Sequence, residues 1–180
     1  MFVSFNNFDL NKITFGEPRV LENGPGGKRK FVPVLYDGKR LRMVTPKCFC
    51  RGIQRDRLNS QKVIFKLPLV MSSVGKEHTE EHKAFVNLFG QVVKRCQGYC
   101  ISTLGQSKGV GSLGSCLHRK SDNSTPTLYA KVRYNEPKKK FFTRFQNAKV
   151  RKGEDKMIDP LSVENERCEA MVVPCLESIY

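Results

Sequence analysis

A mainly β fold with a single helix is what the hydrophobic patterning of this chain predicts. Residues 31–44, 62–70 and 127–145 alternate apolar and polar side chains with the period of a strand. Residues 76–94 instead repeat Phe85, Leu88, Phe89, Val92 and Val93 at three- and four-residue spacing, the period of a helix. Asp37-Gly38 and Asn135-Glu136-Pro137 interrupt two of the alternating stretches with turn chemistry.

Taken in order, residues 1–30 read as a loop-rich N-terminal arm. Phe2, Phe5, Phe8 and Phe15 are spaced along it among Asn and Asp, positioned to anchor the arm to a core. Gly24-Pro25-Gly26-Gly27-Lys28-Arg29-Lys30 closes it as a flexible basic hinge. The first hairpin pairs Phe31–Tyr36 with Lys39–Val44 around Asp37-Gly38, a dipeptide suited to a type I′ turn. Pro33 predicts an edge or irregular first strand. Lys62–Val70 is the third strand and Lys76–Lys94 the helix, whereas Gln97–Leu104 fits either a strand or a second short helix. Residues 105–126, rich in Gly and Ser, read as a long loop. Thr127–Tyr134 and Lys139–Phe145 form the second hairpin. Strand, strand, strand, helix, strand, strand is the order of an OB-fold, a five-stranded Greek-key barrel with its helix between strands three and four.

Charge divides the chain in the same places. Residues 1–152 carry 30 Lys and Arg against 10 Asp and Glu, and residues 153–180 carry 2 against 7, so a body of +20 precedes a tail of −5. The predicted organisation is therefore an arm over 1–30, a domain over 31–152 and an acidic tail over 153–180. A basic body gains free energy by releasing counterions from a polyanion. No apolar run approaches the ~20 residues of a membrane-spanning helix, and the N-terminus lacks the basic and apolar regions of a secretory signal. An intracellular protein that makes no membrane contact is expected. Seven cysteines, an odd number, are then expected to be free thiols.

The candidate chemistry is a positive groove lined with rings, which is what a single-stranded nucleic acid requires. Residues 28–66 alone hold twelve basic side chains against Asp37 and Asp56. Arg40, Arg42, Lys47, Arg51, Lys131, Arg133 and Arg144 are the candidates for phosphate contact; Tyr36, Phe49, Tyr129 and Phe142 are the candidate stacking platforms.

Other motifs weigh less. His78-Thr79-Glu80-Glu81-His82 has the spacing of an inverted zinc-peptidase helix, with both histidines on one side, but two surface histidines at a charged helix start explain it as well. Cys48-Phe49-Cys50 and Cys96…Cys100 lack the usual zinc-knuckle spacing and read as in-facing core cysteines. Gly109-Val110-Gly111-Ser112-Leu113-Gly114 has dinucleotide-loop spacing, yet no helical pattern follows it. Lys28-Arg29-Lys30 and Pro137-Lys138-Lys139-Lys140 have the composition of nuclear-import patches. No catalytic, metal or cofactor site is expected.

Two stretches carry a family resemblance. Leu41-Arg42-Met43-Val44-Thr45-Pro46-Lys47, followed by Gly52-Ile53, and Pro126-Thr127-Leu128-Tyr129-Ala130-Lys131-Val132, followed by Phe141-Phe142-Thr143-Arg144-Phe145, resemble the single-stranded-DNA-binding proteins of nucleocytoplasmic large DNA viruses. Those proteins are related to phage OB-fold binders with an acidic, aromatic-ended tail. This tail is less densely acidic and ends Leu176-Glu177-Ser178-Ile179-Tyr180. The resemblance implies a non-enzymatic, sequence-independent binder of single-stranded DNA in viral replication, recombination or repair. It would work in the host nucleus or cytoplasm, able to self-associate and to recruit replication proteins through the tail. The rival classes are a structural or RNA-binding protein that packages nucleic acid and, more distantly, a zinc metallopeptidase.

Overall fold

The computed structural model describes residues 2–24, 27–56, 63–75, 77–104, 116–150 and 156–179. In chain order the strands are β1 (Val3–Ser4), β2 (Ile13–Phe15), β3 (Arg19–Gly24), β4 (Gly27–Tyr36), β5 (Lys39–Val44), β6 (Cys48–Cys50), β7 (Gln54–Asp56) and β8 (Ile64–Val70). The helix α1 (Glu80–Leu104) comes next. It is followed by β9 (Leu117–His118), β10 (Thr127–Val132), β11 (Tyr134–Asn135), β12 (Lys140–Phe141), β13 (Cys168–Ala170), β14 (Cys175–Leu176) and β15 (Ser178–Ile179). The fold is thus mainly β with one α-helix. Its strands form sheets of seven, six and two, and none of these closes into a barrel among the described residues. No described helix is long and apolar enough to cross a membrane.

The chain divides into two compact units. The first comprises Met1–Pro46, Glu80–Ser115 and Met171–Tyr180; the second comprises Lys47–Thr79 and Cys116–Ala170.

The first unit is built on the β4–β5 hairpin. Asp37 (φ 52°) and Gly38 (φ 70°) both take left-handed backbone, as a type I′ turn demands. β4 and β5 pair only beside that turn, at Tyr36–Lys39 and Leu35–Arg40. Beyond it they part, and the C-terminal segment enters the fork: β14 runs antiparallel to β5 and β15 antiparallel to β4. Thr45 N–H donates to the Val172 carbonyl at 2.9 Å, Val172 N–H donates to Thr45 Oγ1 at 3.0 Å, and Val34 N–H donates to the Glu177 carbonyl at 3.3 Å. The far side of β4 is lined by β2 and then β3, and the far side of β5 by β1.

β4 runs across the composition-based boundary at residue 30. The residues read as an arm supply three strands, and the acidic tail supplies three more. Pro33 lies in a strand flanked on both sides, not at an edge. It sits where the neighbouring chain breaks between β2 and β3, so its missing N–H interrupts no continuous ladder.

α1 belongs to this unit. His82, Phe85, Phe89, Val92, Cys96 and Cys100 are buried along one stripe at helical spacing, which continues the helix through the segment that sequence left between strand and helix. The N-terminal rings pack as anchors. Phe5 meets Phe85 edge-on at 5.9 Å, Phe8 meets Tyr36 at 4.7 Å, and Phe15 stacks on Tyr99 at 4.0 Å.

The second unit is centred on β8, which pairs antiparallel with β10 on one side and with β6 and then β7 on the other. β13 extends the sheet past β6, and β9 extends it past β10. Pro68 lies in β8 opposite the break between β6 and β7, the same device as at Pro33. Gly52 makes that break with φ 66°, and a Cβ there would run into the Val163 carbonyl oxygen. Phe65, Leu67, Leu69, Met71, Leu128 and Val132 are buried. The predicted second hairpin is divided: β10 joins the large sheet, and β11 and β12 form a separate ribbon whose Tyr134 and Phe141 close on Phe65 at 5.1 and 5.0 Å.

Two stability outcomes follow from these contacts. Gly52→Ala should lower unfolding free energy by at least about 1–3 kcal/mol, the cost of left-handed backbone alone, in a urea titration. Truncation after Ala170 should lower the melting temperature, because it strips hydrogen-bond partners from β4 and β5. An unchanged melting temperature would refute the structural role of the C-terminal strands.

Candidate nucleic-acid interface

The outward side of the β8–β10 pair presents Lys66, Tyr129 and Lys131. Register runs from Thr127 opposite Val70 to Val132 opposite Phe65. Because side chains alternate across a sheet, Leu128 and Val132 turn inward while Tyr129 and Lys131 stand on the other side, both exposed. Arg133, one residue past the strand, continues the exposed stripe. Three such positions span about 13 Å at ~3.3 Å per residue. Lys66 is directly opposite Lys131. Tyr129 is 44% exposed, with His118 edge-on to its ring at 5.3 Å. Phe142 N–H donates to the Arg133 carbonyl at 2.8 Å, and Phe142 is 58% exposed, whereas its neighbour Phe141 packs against Phe65.

The β6 end of the same sheet differs in charge. Phe49 is half-buried, in register with Val70 on one side and Glu169 of β13 on the other. Glu169 forms an ion pair with Lys47. An acid of the C-terminal segment therefore neutralises a cation beside the sheet.

The remaining candidates are placed elsewhere. Arg51 and Arg144 are exposed but lie outside the strands of this sheet. Arg40 and Arg42 are exposed on β5, in the first unit. Tyr36 is not available as a stacking platform. Its ring is buried, and its hydroxyl accepts a hydrogen bond from Asp9 N–H at 3.1 Å, so the residue serves the core. Sequence reasoning missed Lys66 and His118. Lys66 alternates with the apolar residues of β8, so pairing β8 to β10 in register would have found it.

The alternative motifs resolve in several ways. α1 begins at Glu80, so His78 precedes the helix, and its Nδ1 lies 2.6 Å from the Met71 carbonyl. His82 is buried on α1. The two histidines therefore do not share one helix face. No group of three or more potential metal ligands occurs among the described residues. The glycine motif at 109–114 lies outside the described residues, as do residues 25 and 26 of the expected flexible hinge; the rest of that hinge is strand, with Gly24 ending β3 and residues 27–30 opening β4. Cys48 and Cys50 face inward on β6, where burial pushes both thiols up to about 12; the neighbouring Cys168 adds to the effect at Cys50. Burial likewise raises Cys96 to about 11, with Cys100 beside it adding to the rise.

Residues 28–180 match the family described as a protein of unknown function (DUF2738), and the chain belongs to that family. No curated protein matches it, and no solved structure does.

The thiols generate a pH prediction. A thiol that ionises near 9 when unfolded but near 12 when folded makes the unfolded state lose its proton first. The unfolded state then binds fewer protons, so stability should fall as pH rises above about 9. Thermal melts across pH 7–10 on the wild type and on Cys48→Ala/Cys50→Ala check this. The double variant should show a shallower alkaline decline. At pH 8, Cys48, Cys50 and Cys96 should resist alkylation until the protein is denatured, as read by peptide mass spectrometry.

Proposed function

We propose that the protein binds single-stranded nucleic acid, DNA foremost and without sequence preference, along the outward side of β8 and β10. The observation that carries this reading is the direct opposition of Lys66 and Lys131 within a stripe that also presents Tyr129 and Arg133, with the exposed Phe142 hydrogen-bonded to the Arg133 backbone. Like charges facing one another across a strand pair weaken a sheet. A phosphate chain lying over two cations at one register position is attracted by both and releases its counterions. Exposed rings at either end of the cations, Tyr129 and Phe142, give bases a surface on which to stack, worth about 1–3 kcal/mol per base. The net charge of +15 supports the same reading. Binding by this surface requires neither metal nor catalysis.

The resemblance of residues 41–53 and 126–145 to viral single-strand binders adds a role in viral DNA replication, recombination or repair to the proposal. An OB-type arrangement belongs to it as well, supported by the place of α1 in sequence, after β8 and before β10. The surface itself needs no barrel closure. A packaging protein or an RNA binder would use the same cations, and the choice of nucleic acid separates them.

Titration of matched single-stranded DNA, RNA and duplex is the test. Single-stranded DNA should bind tightest. For about four to six phosphates contacted, log K against log salt should have a slope of about −3 to −4, from ~0.7 per phosphate. Lys131→Gln/Arg133→Gln should shrink the slope by about 1.4, and Tyr129→Ala or Phe142→Ala should cost about 1–3 kcal/mol each. Equal affinity for duplex would favour packaging, and salt-independent binding would sink the electrostatic account. Glu169→Gln, which removes one acid paired with Lys47, should tighten binding a few-fold at low salt, consistent with the ~0.2–1 kcal/mol of an exposed pair, and change little at high salt.

A further inference from the structure

We infer that the first unit carries a second binding surface for single-stranded nucleic acid, formed by Phe2, Lys39, Arg40 and Arg42. The inference rests on the reading of the chain as a single-strand binder, and it concerns residues outside the β8–β10 stripe. Of the four phenylalanines in the first 15 residues, Phe5, Phe8 and Phe15 pack against aromatic partners. Phe2 is 65% exposed, the highest value among the exposed large apolar side chains described.

Its position is set by strand pairing. β1 runs parallel to β5 with Val3 beside Met43, which carries Phe2 alongside Arg42. Arg40 and Arg42 stand on one side of β5, both exposed, because Leu41 and Met43 take the buried side. Phe2, Arg40, Arg42 and Lys39 border one shallow depression, with Asp37 its acidic member. Glu177 is the nearest acid along the register of the C-terminal strand, following Leu176, which pairs with Leu41. Three cations therefore outnumber the acids around an exposed ring.

With a volume of only about 10 Å³, this depression edged by guanidinium groups and a ring is too small to enclose a small molecule. It suits an extended ligand whose phosphates meet Arg40, Arg42 and Lys39 while a base lies on Phe2. Arginine adds to such stacking through its planar, delocalised cation. Arg40 and Arg42 were candidates from sequence, and the structure supplies their ring: Phe2 in place of the buried Tyr36.

Calorimetric titration of the full-length protein with an oligothymidylate of about four nucleotides, the short end of the usual site sizes, tests this at low salt. The wild type should bind two oligonucleotides per chain. Phe2→Ala/Arg40→Gln/Arg42→Gln should bind one, and Lys131→Gln/Arg133→Gln should also bind one. All the substituted side chains are exposed, and unchanged melting temperatures would confirm that the variants fold. A single wild-type site that survives the Phe2/Arg40/Arg42 variant and is lost in the Lys131/Arg133 variant would overturn this inference and leave the β8–β10 reading standing. The reverse pattern would support the second surface and remove the first. Absence of binding in the wild type would overturn both.

Discussion

The first unit depends on a gap in its own central hairpin. β4 and β5 share only two residue pairs beside the Asp37-Gly38 turn, and past that point the backbone donors of Val34, Met43 and Thr45 have no partner in the hairpin itself. Glu177, Pro174 and Val172 supply the acceptors. Buried backbone groups left without partners cost about 1–3 kcal/mol each, so the hairpin and the last ten residues are one folding element although about 130 residues separate them in sequence. The acidic character of residues 153–180 is therefore compatible with a structural role: Cys168 to Ala170 add a strand to one sheet, and residues 175–179 complete another.

That arrangement bears on how charge is managed. An acidic segment following a basic body could act as a loose competitor for polyanions. Here its acids are delivered to defined positions by strand pairing. Glu169 comes to Lys47 because β13 registers on β6, and Glu177 is carried along β5 toward the Arg40 side because β14 registers on Leu41 and Arg42. The stripe of Tyr129, Lys131 and Arg133 receives no strand from this segment, since β10 is flanked by β8 and β9. The proposed interface is the part of the second unit's sheet where strand register sets Lys66 opposite Lys131.

Proline and glycine positions follow one rule in both units. Pro33 and Pro68 each lie in a strand flanked on both sides, and each falls where a neighbouring strand is interrupted. Gly52, at the interruption beside Pro68, takes left-handed backbone against the Val163 carbonyl. A residue unable to donate to a ladder is tolerated in a sheet only where the ladder is already broken. Proline in a predicted strand thus marks an edge or a broken neighbour, and sequence cannot choose between them.

What the sequence determined alone was local. The Asp37-Gly38 hairpin, the strand over Ile64–Val70, the helix and the start of β10 all follow from periodicity and turn chemistry, which act over a few residues. The exposure of Tyr129, Lys131 and Arg133 follows from the same alternation. Other features were decided by contacts between distant residues. The short strands β1–β3 and β13–β15 have little patterning of their own, and they exist because β4, β5 and β6 offer them unpaired backbone. Tyr36 was drawn into the core by Phe8 and Asp9, and Phe2 was left outside because β1 ends its pairing beside Arg42. Lys66 faces Lys131 only because β8 and β10 pair in one register. Register is a property of two strands together, set by which apolar faces must be buried, so no single stretch of sequence contains it.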